Sequence, residues 1–229
     1  MLDKFIDVGS LSKKRCVKPI VGTLKYATVE NFLGRVVKGY HPDASDVFLA
    51  TTEAAFALCE AQNYFVNNYG YSLTIHDSYR PLCAVQDFAV WVKQPPNGEY
   101  ELFRKQLHYP AIEKIDFEKL GYLSVTVSRH CFGNVVDATL ISLEDGKEIN
   151  MGAIFDFFDK KSHAMATAAE IGEEAFKNRK IFREGMEKFG FNPYSEEYWH
   201  FEFHKREIDI PADMEITQSL RGLGVPANV

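Results

Sequence analysis

Residues 123–142 of the chain read LSVTVSRHCFGNVVDATLIS. Two β-rich runs, at 123–128 and 135–142, stand on either side of a Phe-Gly-Asn turn. Runs of this length and composition, separated by turn residues, predict two strands joined as in a hairpin. A third strand is predicted at 199–203, where aromatic residues alternate with polar ones and indicate a half-buried strand.

Helices are predicted on both sides of these strands. Apolar periodicity and helix-start signals predict three of them, at 47–67, from Pro81 to 92, and over most of 164–189. The first ends in an NNYG turn that leads into a short strand at 71–75, and the third is capped by Gly190. The predicted fold class is therefore α+β, with a central antiparallel sheet flanked by helices in a single domain over 1–229.

Composition narrows the classes of function. Hydrophobic residues make up 46% of the 229, and the formal net charge is −6. No basic stripe is present, so we expect neither a nucleic-acid partner nor a membrane partner. Charges interrupt the N-terminus before a secretory signal could form, and no run approaches the roughly 18 apolar residues of a membrane span. The four cysteines are scattered without a C-x-x-C pair, which suits a reducing compartment, so we expect a cytoplasmic location.

Three residues of the predicted strands are candidates to hold a metal ion. His130 and Asp137 flank the turn, which would let their side chains converge on one point, and His200 could join them there. Two histidines and a carboxylate give zinc three protein ligands and leave the fourth position open for water, as in catalytic sites. The spacing alone fits equally well a surface hairpin that carries one histidine and one aspartate.

A carboxylate stands close to the third of these candidates. Glu197 precedes His200 by three positions and would reach the same pocket from the turn before the strand. Zinc lowers the pKa of its bound water toward about 7, and a nearby carboxylate that is not a ligand can take the proton. Glu197 fits this role of general base, with Glu202 as a poorer competitor.

The whole chain, from about residue 24 to 203, resembles the D-alanyl-D-alanine dipeptidase family, the zinc D,D-dipeptidases of the vancomycin-resistance type. Six blocks in family order carry the resemblance: YATVENF at 26–32 with Gly34, DSYRP at 77–81, S-x-H-x-x-G-x-x-x-D at 128–137, MGAIFD at 151–156 with SH at 162–163, GF at 190–191, and E-x-W-H at 197–200. One block could arise by chance, but six in register could hardly do so. The N-terminal residues and the last 25 or so lie outside it.

The resemblance implies a catalytic centre. One Zn²⁺ per chain would be bound by His130, Asp137 and His200. Glu197 would act as general base and then as general acid. Arg80 would face the oxyanion of the tetrahedral intermediate, because its cationic fork is always charged.

The resemblance also implies a substrate, a small D,D-dipeptide. Asp156 would hold its free ammonium group, while Tyr26 and Ser128 would help to define the ends of the dipeptide. A pocket that pairs both termini would exclude longer peptides, since an extra residue would leave a buried charge unpaired. The oligomeric state and the physiological role stay open.

A purely structural role is the alternative for Arg80 and for the three residues expected to bind the substrate. Arg80 could pair with a surface acid, and Asp156 could be a loop or cap residue. Tyr26 could only pack, and Ser128 could only bond the main chain beside His130.

Two departures from the family pattern bear on specificity. The ligand loop usually reads S-x-H-S-R-G-S, whereas Cys131, Phe132 and Asn134 occupy its polar positions here, and Ala153-Ile154 replaces a Thr-led pair. We expect these changes to touch the rim of the pocket, to relax a strict preference for D-Ala-D-Ala, and to admit a bulkier apolar side chain. Two other functions remain: a zinc D,D- or L,D-carboxypeptidase acting on longer cell-wall peptides, and a non-catalytic zinc-bearing binding protein.

Overall fold

The computed structural model of the protein describes residues 2–227. Its strands are β1 (Phe5–Asp7), β2 (Val21–Gly22), β3 (Leu49–Thr51), β4 (Tyr71–Asp77), β5 (Val135–Ser142), β6 (Phe191–Tyr194) and β7 (Glu197–Phe203). Its helices are α1 (Val8–Arg15), α2 (Thr52–Tyr69), α3 (Leu82–Trp91), α4 (Gly98–His108), α5 (Ala168–Ile171) and α6 (Glu173–Lys188).

A five-stranded sheet with the order β2-β4-β5-β7-β6 lies at the centre. Its pairs are antiparallel except for the short β2, which runs parallel to β4. The register of β5 against β7 sets Asp137 directly opposite His200. Strands β1 and β3 form a separate antiparallel pair. Helices and a mostly antiparallel sheet share one hydrophobic core, so the predicted α+β class is confirmed.

Helix α2 packs on β4 and on α6. Its alanine-rich face, with Ala54, Leu58 and Phe65, is buried. Close approach to α6 depends on Gly185, because a Cβ there would lie 2.4 Å from the ring of Phe65. The helix ends as predicted in the turn at Gly70, whose φ of 66° is the left-handed conformation that favours glycine. Within residues 2–227, no helix combines the length and apolar character needed to span a bilayer.

The residues before and after the region of family resemblance both pack against the fold. Asp7 at the end of β1 caps α1 by accepting a hydrogen bond from the Gly9 N–H. Near the other end, the Ala212 N–H donates to the carbonyl of Cys131, and the Leu82 N–H donates to the carbonyl of Ala212. The C-terminal segment therefore joins the ligand loop to the start of α3.

Several secondary-structure predictions were wrong in detail. Residues 123–128 form no strand, because both edges of β5 are already occupied, by β4 and β7. Strand β7 is buried along nearly its whole length rather than half-buried, since Phe182 of α6 packs on Phe201 while His200 lines a pocket on the other face. The segment 49–51 belongs to β3 instead of the following helix, because it pairs with β1. The predicted helix over 164–189 is divided by Gly172 into α5 and α6.

Candidate active site

The eight residues singled out from the sequence all line one pocket beside the central sheet. They are Tyr26, Arg80, Ser128, His130, Asp137, Asp156, Glu197 and His200. They come from distant parts of the chain. Asp137, Glu197 and His200 belong to the paired strands β5 and β7, and Ser128 and His130 lie in the loop that leads into β5.

Three of these side chains present donor atoms at the separation that a single metal ion requires. His130 Nε2 lies 3.3 Å from Asp137 Oδ2 and 3.3 Å from His200 Nδ1, and His200 Nδ1 lies 3.1 Å from Asp137 Oδ1. Tetrahedral zinc with bonds of 2.0–2.2 Å holds its donors roughly 3.3 Å apart. This trio of two imidazoles and one carboxylate therefore fits zinc, and all three residues are buried.

The loop before β5 fixes the orientation of the first histidine. Residues Arg129–Phe132 form a turn of 3-10 helix rather than the end of a strand. Ser128 caps this turn, because its Oγ accepts a hydrogen bond from the His130 N–H at 3.3 Å. His130 Nδ1 donates to the carbonyl of Ser78 at 2.6 Å, which directs Nε2 toward Asp137 and His200.

The pKa shifts of Asp137 and His200 favour the forms in which these residues bind a metal ion. Burial alone would raise the pKa of Asp137, but the neighbouring His130 and His200 outweigh it and hold that pKa well below its usual range. Burial lowers the pKa of His200, which favours the neutral imidazole. An ionised carboxylate and a neutral ring are the forms in which these residues bind a cation.

Glu197 opens β7 beside the trio, in the strand itself rather than in the turn before it. Its Oε2 lies 3.5 Å from His200 Nδ1, and the residue is 8% exposed. Burial, followed by the charges of Asp137 and Asp156, raises its pKa well above the ordinary value. Glu202, the competing carboxylate, does not line the pocket and pairs with Arg129 and Arg206 instead.

Arg80 is held by an acid that the sequence analysis did not single out. Asp77 accepts hydrogen bonds from Arg80 Nε at 2.9 Å and from the Tyr40 hydroxyl at 2.8 Å, and Arg80 Nη2 lies 2.9 Å from the same carboxylate. Arg80 Nη2 also lies 3.6 Å from Asp137 Oδ2, so the guanidinium borders the trio. The i,i+3 spacing of Asp77 and Arg80 in DSYRP was the available signal. Arg80 is thus buried in the pocket and is not paired with a surface acid.

Asp156 is buried without a cationic partner. Its Oδ2 accepts a hydrogen bond from the Tyr26 hydroxyl at 3.2 Å, and across residues 2–227 no lysine or arginine forms an ion pair with it. Its φ of 59° is left-handed, a conformation that is uncommon outside glycine and that aspartate adopts more readily than most residues. Burial, reinforced by the charge of Asp137, raises its pKa well above the ordinary value.

Residues 121–124 form the roof of the pocket, and they include the first two residues of the segment that was expected to be a strand. Gly121 and Tyr122 are fixed by side chains from elsewhere: the Tyr194 hydroxyl donates to the carbonyl of Gly121 at 2.8 Å, and the Tyr122 hydroxyl lies 3.1 Å from His163 Nε2. His163, to which the sequence analysis assigned no role, therefore supports this roof. Trp199 lies behind the site, with its ring against Phe155.

The ligand-loop substitutions do not reach the rim of the pocket, contrary to expectation. Phe132 is not among the residues that line it and packs beneath Arg206, whose guanidinium lies 3.9 Å from the ring centre. Cys131 is fully buried with its thiol outside the metal trio. Because the loop folds back as a 3-10 turn, only His130 and its neighbours Ser128 and Arg129 face the cavity.

An open-sided trio with an adjacent carboxylate is the arrangement of a zinc metallopeptidase. Residues 9–216 match the peptidase M15 family, described as D-ala-D-ala dipeptidase, and the chain belongs to this family. The resemblance found in the sequence is therefore confirmed.

Three curated relatives carry the same description. The D-alanyl-D-alanine dipeptidase of Enterococcus faecalis is 38% identical over 187 residues, which are 82% of this chain and 85% of that protein. The one of Enterococcus faecium is 37% identical over 86% of this chain and 92% of that protein. The one of Streptomyces coelicolor is 36% identical over 77% of this chain and 82% of that protein.

A solved structure of a vancomycin-resistance D,D-pentapeptidase VanY variant, in complex with Zn(II), overlays only in part. Its TM-score is 0.41 at 15% identity, over 71% of this chain and 77% of that chain. Membership of the family therefore rests on the sequence relatives.

Proposed function

We propose that the protein is a zinc-dependent D,D-dipeptidase that hydrolyses D-alanyl-D-alanine or a close relative of it to free amino acids. The observation that carries the proposal is the convergence of His130, Asp137 and His200 at 3.1–3.3 Å, with Glu197 beside them in the same pocket. We propose one zinc ion per chain, held by these three residues, and a cytoplasmic location stays a prediction.

Zinc bound there would supply Lewis-acid chemistry, by which water is made acidic and a peptide carbonyl is polarised. Glu197 is placed to take the proton of the attacking water, because its carboxylate lies 3.5 Å from a ligand atom without belonging to the trio. The same carboxyl then delivers that proton to the leaving amine as the C–N bond breaks. Burial and the charges of Asp137 and Asp156 raise its pKa, the direction that favours uptake of a proton by the base.

Arg80 faces the other side of the reacting carbonyl in this proposal. Asp77 binds its Nε and one terminal nitrogen, so the guanidinium cannot swing away, and it stays charged. A cation fixed before the reaction stabilises the negative oxygen of the tetrahedral intermediate without needing to reorganise. Arg80 therefore acts on the transition state more than on the bound substrate.

The ends of the dipeptide select its length. Asp156, with the Tyr26 hydroxyl on its carboxylate, offers a buried negative charge to the substrate ammonium. Ser128 lines the pocket while its Oγ caps the ligand turn, so its contact with substrate would be shared with a structural role. Gly121 and Tyr122 also line the pocket, and in this proposal they would limit the room for a longer peptide.

The test is a substrate panel. Zinc-loaded protein is incubated with L,L-, L,D- and D,D-dipeptides and with N-acetylated tripeptides, and the release of free amine is followed. We expect turnover of D,D-dipeptides that is lost in Glu197→Gln, an isosteric control variant. Preference for the longer peptides would establish a carboxypeptidase instead, and absence of turnover with zinc bound would establish a binding protein.

A further inference from the structure

The C-terminal end of helix α4 lies beneath the candidate ammonium site. His108, its last residue, contacts the main chain on both sides of Phe157. His108 Nδ1 lies 3.0 Å from the carbonyl oxygen of Asp156, and the Phe158 N–H donates to the carbonyl of His108 at 2.7 Å. His108 and Asp156 are both buried, at 4% and 2% exposure, so water does not compete for these bonds.

Arg104, one helical turn earlier, determines which ring nitrogen of His108 carries the proton. Its Nη2 lies 2.7 Å from His108 Nε2. Because a guanidinium can only donate, Nε2 must accept, and the proton resides on Nδ1, where it is donated to Asp156. Burial and then the charge of Arg104 lower the pKa of His108 to about 4, so the ring is neutral near pH 7.

The bond to Asp156 matters because of that residue's conformation. Asp156 is the one residue other than glycine within 2–227 that has a positive φ. A disfavoured conformation of this kind persists only where the surroundings hold it. The donor on His108 fixes the carbonyl of Asp156, and with it the direction in which the side chain leaves the backbone toward Tyr26.

Arg104 also holds the segment that carries Tyr26. Its Nε donates to the carbonyl of Asn31 at 2.6 Å. The Asn31 side chain in turn donates to the carbonyls of Lys25 and Thr28, at 3.2 and 2.8 Å, on either side of Tyr26. His108 is thus hydrogen-bonded to Asp156, and Arg104 is connected through Asn31 to the segment that carries Tyr26.

We propose that Arg104 and His108 are positioning residues that aim Asp156 at the substrate ammonium and thereby set the preference for a free dipeptide over an N-blocked one. The proposal rests on the proposed function, in which Asp156 pairs with that ammonium. Neither residue lines the pocket, so neither touches the substrate.

The experiment compares His108→Leu with the wild-type enzyme, both zinc-loaded, on D-Ala-D-Ala and its N-acetyl form. We expect KM for the free dipeptide to rise about tenfold, the weight of one hydrogen bond, with kcat and zinc content nearly unchanged. The ratio of kcat/KM for the free over the blocked substrate should fall by the same factor. His108→Asn, whose amide nitrogen can occupy the place of Nδ1, should restore most of the ratio, whereas His108→Gln, which extends toward Nε2, should not.

A lowered melting temperature with unchanged KM and ratio in His108→Leu would show a merely structural role and overturn the proposal. If His108→Leu does not fold, the Asn and Gln variants decide, and equal ratios in the two would also overturn it. The variant Asp156→Asn separates the pairing of Asp156 with the ammonium from the positioning of Asp156 by His108. If Asp156→Asn keeps the wild-type preference for the free dipeptide, Asp156 does not pair with the ammonium and the proposed function of that residue is wrong. If Asp156→Asn abolishes the preference while the His108 variants keep it, only the positioning role of His108 is wrong.

Discussion

Blocking the amine of the dipeptide is expected to remove most of the activity, because Asp156 would then be left buried without a cation. Asp156 is 2% exposed, and its carboxylate is contacted by the Tyr26 hydroxyl at 3.2 Å but by no lysine or arginine ion pair among the described residues. Removing one partner of a buried pair costs about 3–5 kcal/mol. At about 1.4 kcal/mol per tenfold, kcat/KM should fall by about 10² to 4 × 10³-fold.

Protonation of Asp156 limits that loss. Burial already raises the pKa of this carboxyl, so it can take up a proton when no ammonium is present. A neutral carboxyl tolerates the blocked substrate better, and we therefore expect about 10²-fold at pH 8 and a smaller ratio as the pH is lowered.

The assay measures the release of D-alanine from D-Ala-D-Ala and from its N-acetyl form, with Asp156→Asn as the matched control. The asparagine should narrow the gap by weakening the free dipeptide more than the blocked one. Comparable rates of the wild-type enzyme on both substrates would refute the ammonium-pairing argument and support the carboxypeptidase alternative.

Three further predictions concern single side chains. Glu197→Gln should keep its zinc and lose activity by about 10²–10⁴-fold, the usual weight of general acid–base catalysis, and loss of the metal instead would make Glu197 a ligand. Arg80→Ala should lower kcat by roughly 10²–10³-fold at constant zinc content, whereas a change in KM alone would limit Arg80 to binding the ground state. His76 is buried with its pKa lowered to about 3, so the unfolded chain binds a proton that the folded chain rejects, and stability falls as the pH drops below about 6.5. His76→Gln can keep the hydrogen bond to Thr139. Between pH 7 and pH 5, the free energy of unfolding should fall by about 2 kcal/mol less in this variant than in the wild type, as measured by denaturant unfolding. Equal decreases in the two proteins would contradict the argument.

The parts of the fold that depend on local pattern were predictable. The apolar periodicity of α2, the turn at Gly70 and the strand β5 are all readable from short windows of sequence. The convergence of His130, Asp137 and His200 was expected from the family resemblance, whereas their spacing alone fitted a surface hairpin equally well. Short windows of sequence do not show which edges of a strand are free to pair.

Long-range contacts account for the failures. Residues 123–128 have a β-rich composition, but they cannot pair with β5 because β4 and β7 occupy both of its edges. Leu123, Ser124 and Ser128 of this segment line the pocket instead. The bond between Arg104 and His108 has a helical i,i+4 spacing, yet its purpose appears only when the carbonyl of Asp156 is placed beside it. No property of residues 98–108 alone indicates that contact.

The most direct test of the central claim is a zinc titration of D-Ala-D-Ala hydrolysis. The enzyme is stripped with a chelator, zinc is restored in measured equivalents, and metal content and turnover are determined on the same samples. We predict that activity rises in proportion to bound zinc and reaches its plateau at about one equivalent per chain, and that His200→Ala neither retains the ion nor recovers activity. Full activity in the stripped enzyme, or a chain that binds one equivalent of zinc and leaves D-Ala-D-Ala intact, would contradict the assignment.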